Sequence, residues 1–105
     1  MHPIEKDIQD YILRGFLPLM MLQLIRNNPT HGGELLRILS LTGVTKAGPF
    51  YKTLSSLRWS GMIKETAGIS PKGRGVLLYS LTNEGDELLK RNTKFVHDWL
   101  KLLKS

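Results

Sequence analysis

The side chains best suited to chemistry in this sequence are donors for anions, and they are bunched. Lys46, Tyr51, Lys52, Ser55 and Ser56 lie close together around Pro49, and Lys72 and Arg74 follow. Ammonium, guanidinium and hydroxyl groups, with the backbone N–H groups of a helix N-terminus, are the donors that hold phosphate oxygens. The charge map agrees. Residues 44–75 carry Lys46, Lys52, Arg58, Lys64, Lys72 and Arg74 against Glu65 alone, whereas residues 1–43 balance and residues 76–105 carry one excess cation. Almost all of the formal charge of +6 therefore sits in the middle third of the chain, which points to a polyanionic partner rather than to a generally basic surface.

Other chemistries find no residues. There is no cysteine, which excludes a disulfide scaffold, a thiolate nucleophile and a cysteine-ligated metal. His2, His31 and His97 lack the spacing of metal ligands. No nucleophile elbow, zinc-hydrolase helix or carboxylate pair occurs. The segment Gly68 to Arg74 has something of the spacing of a nucleotide-binding loop, but it lacks the terminal Lys-Ser/Thr, and a strand rather than a helix follows it. Neither enzymatic activity nor a metal or cofactor is expected.

These donors need elements to position them. With 105 residues, 41 % of them apolar, the chain suits one small globular domain. Ile4, Ile8 and Tyr11/Ile12 recur at helical spacing, and the apolar run Phe16 to Ile25 stops at Asn27-Asn28-Pro29. Gly15 and Pro18 either kink one long helix or separate two. Thr30 is read as the N-cap of a short helix carrying Leu35, Leu36 and Leu39, which ends at Thr42-Gly43. Pro49 is read as the opening residue of the next helix. There Phe50, Leu54 and Leu57 form the buried stripe, while Lys52, Ser55, Ser56 and Trp59 face outward with Tyr51 and Arg58 on a flank. Met62 to Ala67 and Val76 to Leu81 read as a hairpin around the glycine-rich loop Gly68 to Gly75. Thr82 caps a last helix reaching about Leu103. The longest uncharged run, Gly15 to Ile25, is well short of the roughly 20 residues of a membrane span. The N-terminal residues lack a signal-peptide pattern, so a soluble cytoplasmic protein without a membrane partner is expected.

Two helices joined by a tight turn and followed by a hairpin form a winged helix-turn-helix, whose second helix can enter a DNA major groove. The fold class expected is therefore mainly α with a small β-hairpin. A single domain would span residues 1–105, with the winged core at 13–85 and dimerisation helices at 1–12 and 86–105.

Four segments resemble the PadR family of winged-helix transcriptional regulators. They are Leu13-Arg14-Gly15-Phe16-Leu17 running into Leu22-Gln23-Leu24-Ile25; His31-Gly32 with Glu34 and Leu35; Gly48-x-x-Tyr51-x-x-Leu54-x-x-Leu57-x-x-x-Gly61-Met62-Ile63; and Tyr79-x-Leu81-Thr82-x-x-Gly85. Together they cover residues 13 to about 90, and the third is the most specific. The chain departs from the family's usual His-Gly-Tyr, with Gly33 in place of the tyrosine, and from its usual Leu-Glu, with Arg58 and Trp59 after Leu57. A single C-terminal helix is similar to the family's short subtype. The resemblance implies DNA binding, a dimer and, in some members, a small and often aromatic effector.

Site by site, Lys46, Pro49, Tyr51, Lys52, Ser55 and Ser56 are expected to meet DNA from the second helix, and Lys72 and Arg74 from the wing. Direct base specificity should be modest, because no arginine points clearly at guanine. Ile4, Ile8 and Ile12 with Leu88, Phe95, Trp99 and Leu102 form the apolar stripes of a homodimer interface. Trp99 is also the candidate platform for an aromatic effector. Trp59 is expected to pack on the wing or on a neighbouring subunit rather than to stack on a base. Function is read as a sequence-specific dimeric repressor on a near-palindromic operator. The alternative is a winged-helix module that binds protein within a larger assembly, which would need no basic stripe.

Overall fold

The structure is a computed structural model and describes residues 2–105. Four helices and three strands follow in the order α1 (Pro3–Asn27), β1 (Thr30–His31), α2 (Gly32–Leu41), α3 (Ala47–Trp59), β2 (Ile63–Ile69), β3 (Gly75–Leu81) and α4 (Asn83–Lys104). The sheet is antiparallel with order β1-β3-β2. The expected mainly helical winged fold is present, with one more strand than the hairpin.

The core gathers one face of every helix. Leu17, Met21, Leu22 and Ile25 of α1, Leu35 and Leu39 of α2, Phe50, Leu54 and Leu57 of α3, Ile63 of β2 and Leu89 of α4 are all buried. This settles the first helix as a single element. Pro18 removes one N–H from the ladder, but the helix is packed against α4, β3 and α3, and that burial holds it through the gap. Its N-terminal half buries nothing: Ile4, Ile8, Tyr11 and Ile12 stay exposed.

Two helix starts differ from the sequence reading. Thr30 is not the cap of α2. Thr30 and His31 pair with Tyr79 and Leu78 of β3, and the His31 imidazole Nδ1 accepts the Glu34 N–H at 3.2 Å as the N-cap. Helix α3 starts two residues before Pro49, with Lys46 at the N-cap position. Proline is tolerated there because the N–H it lacks belongs to the first turn, where no helical acceptor exists. Between α2 and α3 the turn is closed by Gly43 at φ 74° and by the Val44 N–H donating to the Leu39 carbonyl at 3.0 Å.

The junction between β2 and α4 is tight. Thr82 caps α4 as expected: its Oγ1 accepts the Gly85 N–H at 3.0 Å and donates to the Gly61 carbonyl at 2.6 Å. Its own N–H donates to the Met62 carbonyl at 3.1 Å. Gly85 is buried against Met62, so the end of α3, the start of β2 and the start of α4 are clasped together. Further along, Asp86 takes ion pairs from Arg26 of α1 and Lys90 of α4, both at 3.0 Å. The bonded Lys90 ammonium, aided by Arg26, holds its carboxyl below the usual carboxylate range.

Candidate nucleic-acid interface

Helix α3 lies with Phe50, Leu54 and Leu57 in the core, which turns Lys52, Ser55, Ser56 and Trp59 outward into solvent. Tyr51 is half-exposed on the flank, its ring edge-on to Phe50 at 5.1 Å between centroids. The first turn carries Lys46, exposed, and no side-chain oxygen caps it. The positive end of the helix dipole and its free N–H groups are therefore open beside a lysine, a combination that favours anions. The Ser56 hydroxyl is engaged locally, donating to the Lys52 carbonyl at 3.1 Å.

The wing is a five-residue loop, Ser70 to Arg74, two residues shorter than expected at its start because β2 runs on to Ile69. The Ser70 N–H donates to the Arg74 carbonyl at 2.8 Å, the Gly73 N–H to the Ser70 carbonyl at 2.9 Å, and the Ser70 hydroxyl accepts the Arg74 N–H at 3.2 Å. Gly73 sits at φ 81°, a conformation glycine adopts at little cost. These bonds define the tip from which Lys72 and Arg74 project into solvent.

Helix α3 is tied to the sheet on its wing side. The Arg58 guanidinium donates to the Glu65 carboxylate of β2 at 2.7 Å, which raises the Arg58 pKa further. Glu65 sits opposite Tyr79 in the register, and burial raises the pKa of the Tyr79 phenol. Arg58 is thus a brace between helix and sheet, a role the sequence reading missed because the two residues are seven apart and on different elements. Lys46, Lys52, Lys64, Lys72 and Arg74 make no ion pair among the described residues, while Arg26, Arg37, Arg58, Lys90 and Lys94 each have a carboxylate partner.

Of the two covers expected for Trp59, the wing of its own protomer is not one: the side chain is 85 % exposed. On the terminal helices, Ile4, Ile8, Ile12, Phe95, Trp99 and Leu102 are between 49 % and 63 % exposed, whereas Leu88 already packs partly on the protomer's own core. Phe95 and Trp99 meet edge to face at 6.0 Å. No described helix is long and apolar enough to cross a membrane.

Comparison with known proteins gives a consistent placement. The family model described as transcriptional regulator PadR-like matches residues 21–91. No curated protein sequence matches the chain. Among solved structures, a Streptococcus transcriptional regulator is 26 % identical with a TM-score of 0.74, over 90 % of this chain and 97 % of that one. A PadR-like transcriptional regulator from Bacillus cereus is 25 % identical with a TM-score of 0.75, over 90 % and 97 %. A PadR family transcriptional regulator from Eggerthella lenta shares the fold with a TM-score of 0.80 at 20 % identity, over 96 % and 89 %. The family match takes in α2, α3, the wing and most of the core, and on that ground the chain belongs to the PadR-like family of DNA-binding transcriptional regulators.

Proposed function

We propose that the protein is a homodimeric repressor that binds a near-palindromic duplex, with α3 in the major groove and the wing on the backbone or minor groove. One observation carries this reading: Lys46 and Lys52 around the start of α3 and Lys72 and Arg74 on the hairpin tip are all exposed and make no ion pair among the described residues, within the stretch that holds nearly all of the chain's excess positive charge. Cations left without internal partners are available to phosphates. Lys46, Pro49, Tyr51, Lys52, Ser55 and Ser56 form the helix contact and Lys72 and Arg74 the wing contact. With Arg58 held by Glu65, base readout falls to serine and tyrosine hydroxyls and to DNA shape. Selection of bound duplexes from a random pool tests the reading. The expected result is an enriched inverted repeat with half-sites about one helical turn apart. A pool that stays random, or a single unrepeated half-site, overturns it.

The dimer reading rests on the unpartnered stripes of α1 and α4. Ile4, Ile8 and Ile12 on the N-terminal half of α1, with Phe95, Trp99 and Leu102 on α4, are each about half exposed or more. Apolar side chains aligned in this way along two helices favour a partner that covers them. Phe95→Ala with Trp99→Ala should raise the dimer dissociation constant by at least about thirtyfold, because truncating an anchoring interfacial aromatic costs roughly 2 kcal/mol or more. Sedimentation equilibrium measures it, and an unchanged mass distribution would place the interface elsewhere. A small aromatic effector stacking on Trp99 belongs to the same proposal and predicts quenching of its emission.

A further inference from the structure

A groove of about 830 Å³ lies between the start of α2 and the wing, within the range of small-molecule sites. Pro29, Val76 and Leu78 give it an apolar lining, and Lys72 and Arg74 stand on its rim. The other charged pair on its wall, Glu34 with Arg37, is internally neutralised. The groove therefore carries an excess of two unpaired cations beside an apolar surface. Its wall is open where Gly33 lines it. A Cβ at Gly33 would approach the His31 ring at 3.3 Å; the Nδ1 of that ring caps α2, so a side chain on this part of the groove wall requires the imidazole to give by a few tenths of an ångström while keeping the Glu34 N–H.

We propose that this groove is a binding site for a small organic anion with an apolar body, whose acidic group pairs with Lys72 and Arg74 while the body lies on Pro29, Val76 and Leu78. The argument is charge complementarity: an uncharged ligand leaves both cations unused, and a bare inorganic anion leaves the apolar surface wet. The two cations are also the wing's contacts to DNA, a step that rests on the function proposed above. The ligand and the phosphate backbone cannot hold them at once, so occupancy of the groove lowers duplex affinity by direct competition. This site is separate from Trp99 of α4, which does not line the groove.

The probe is anilinonaphthalene sulfonate, a fluorescent apolar anion, titrated into the full chain. Gly33→Tyr fills the groove wall without touching either cation, and Val76→Glu sets a like charge on its floor as an independent variant. Each should weaken dye binding by about tenfold or more, and Gly33→Tyr should leave duplex retardation within about twofold of the parent. Trp99→Ala should keep the groove-dependent dye signal. Saturating duplex should displace the dye from the parent chain, and excess dye should release duplex. Dye binding unchanged in both Gly33→Tyr and Val76→Glu, or lost on Trp99→Ala alone, overturns the site. Dye that ignores saturating duplex overturns the competition. A chain that binds dye in this variant-dependent way but retards no duplex overturns the nucleic-acid reading and leaves the groove's ligand standing.

Discussion

Gly85→Ala is expected to cost the domain about 3 kcal/mol or more, a large share of the roughly 5–10 kcal/mol that holds a domain this small. The methyl group would land on the Met62 carbonyl oxygen and lie 2.9 Å from its carbonyl carbon. Both are backbone atoms, so no side-chain rotation relieves the clash. Helix α4 would have to lift from β2, and the lift would strain the two bonds that Thr82 donates to the Gly61 and Met62 carbonyls. Urea denaturation followed by circular dichroism measures the change. Gly15→Ala serves as the control, because an added Cβ there meets nothing within 4 Å. Inside α1 it should stabilise by about 0.5–1 kcal/mol through helix propensity. Similar midpoints for the two variants would show that α4 moves freely at this junction.

Lys52→Ala combined with Lys72→Ala should weaken binding to every duplex sequence and flatten its salt dependence. Each phosphate left without its cation lowers the slope of log affinity against log salt by about 0.9. Two such phosphates per protomer, doubled by a two-fold dimer, remove a slope of about 3.6. Across a fourfold rise in salt the parent's affinity should then fall about 150-fold further than the variant's, from the same slope. The weakening should be nearly uniform across sequences, because ammonium groups on phosphates position the protein without reading bases. Fluorescence anisotropy on one random duplex and one selected duplex, at several salt concentrations, measures both effects. An unaltered slope would remove these lysines from the interface.

Much of this arrangement is legible in the residues. Leu35 and Leu39, and Phe50, Leu54 and Leu57, announce α2 and α3 through their spacing, and the structure buries those side chains. Thr82 announces α4 because a hydroxyl just before an acidic first turn is a local capping signal. What escaped depends on partners distant in sequence. Strand β1 has two residues and exists only because β3 offers free backbone groups beside Thr30 and His31. The continuity of α1 through Pro18 is decided by packing on other helices, not by its own propensity. The Arg58 brace needs Glu65 brought alongside by the turn at Gly61, which stands at φ 77°. Of the proposed DNA contacts, the charge map located the segment, but only the fold distinguishes cations left open from those already neutralised.

The clasp formed by Thr82 and Gly85 fixes how geometry is transmitted. With almost no slack between α3 and the root of α4, the winged core turns with α4 as a single rigid arm. At 22 residues α4 is a shaft of roughly 33 Å. In a dimer joined along these shafts, a rotation of about 5° at their crossing swings the reading helix by about 3 Å, close to one base-pair rise. Small changes in how the two shafts cross would therefore gear directly into whether both halves of an operator can be engaged together.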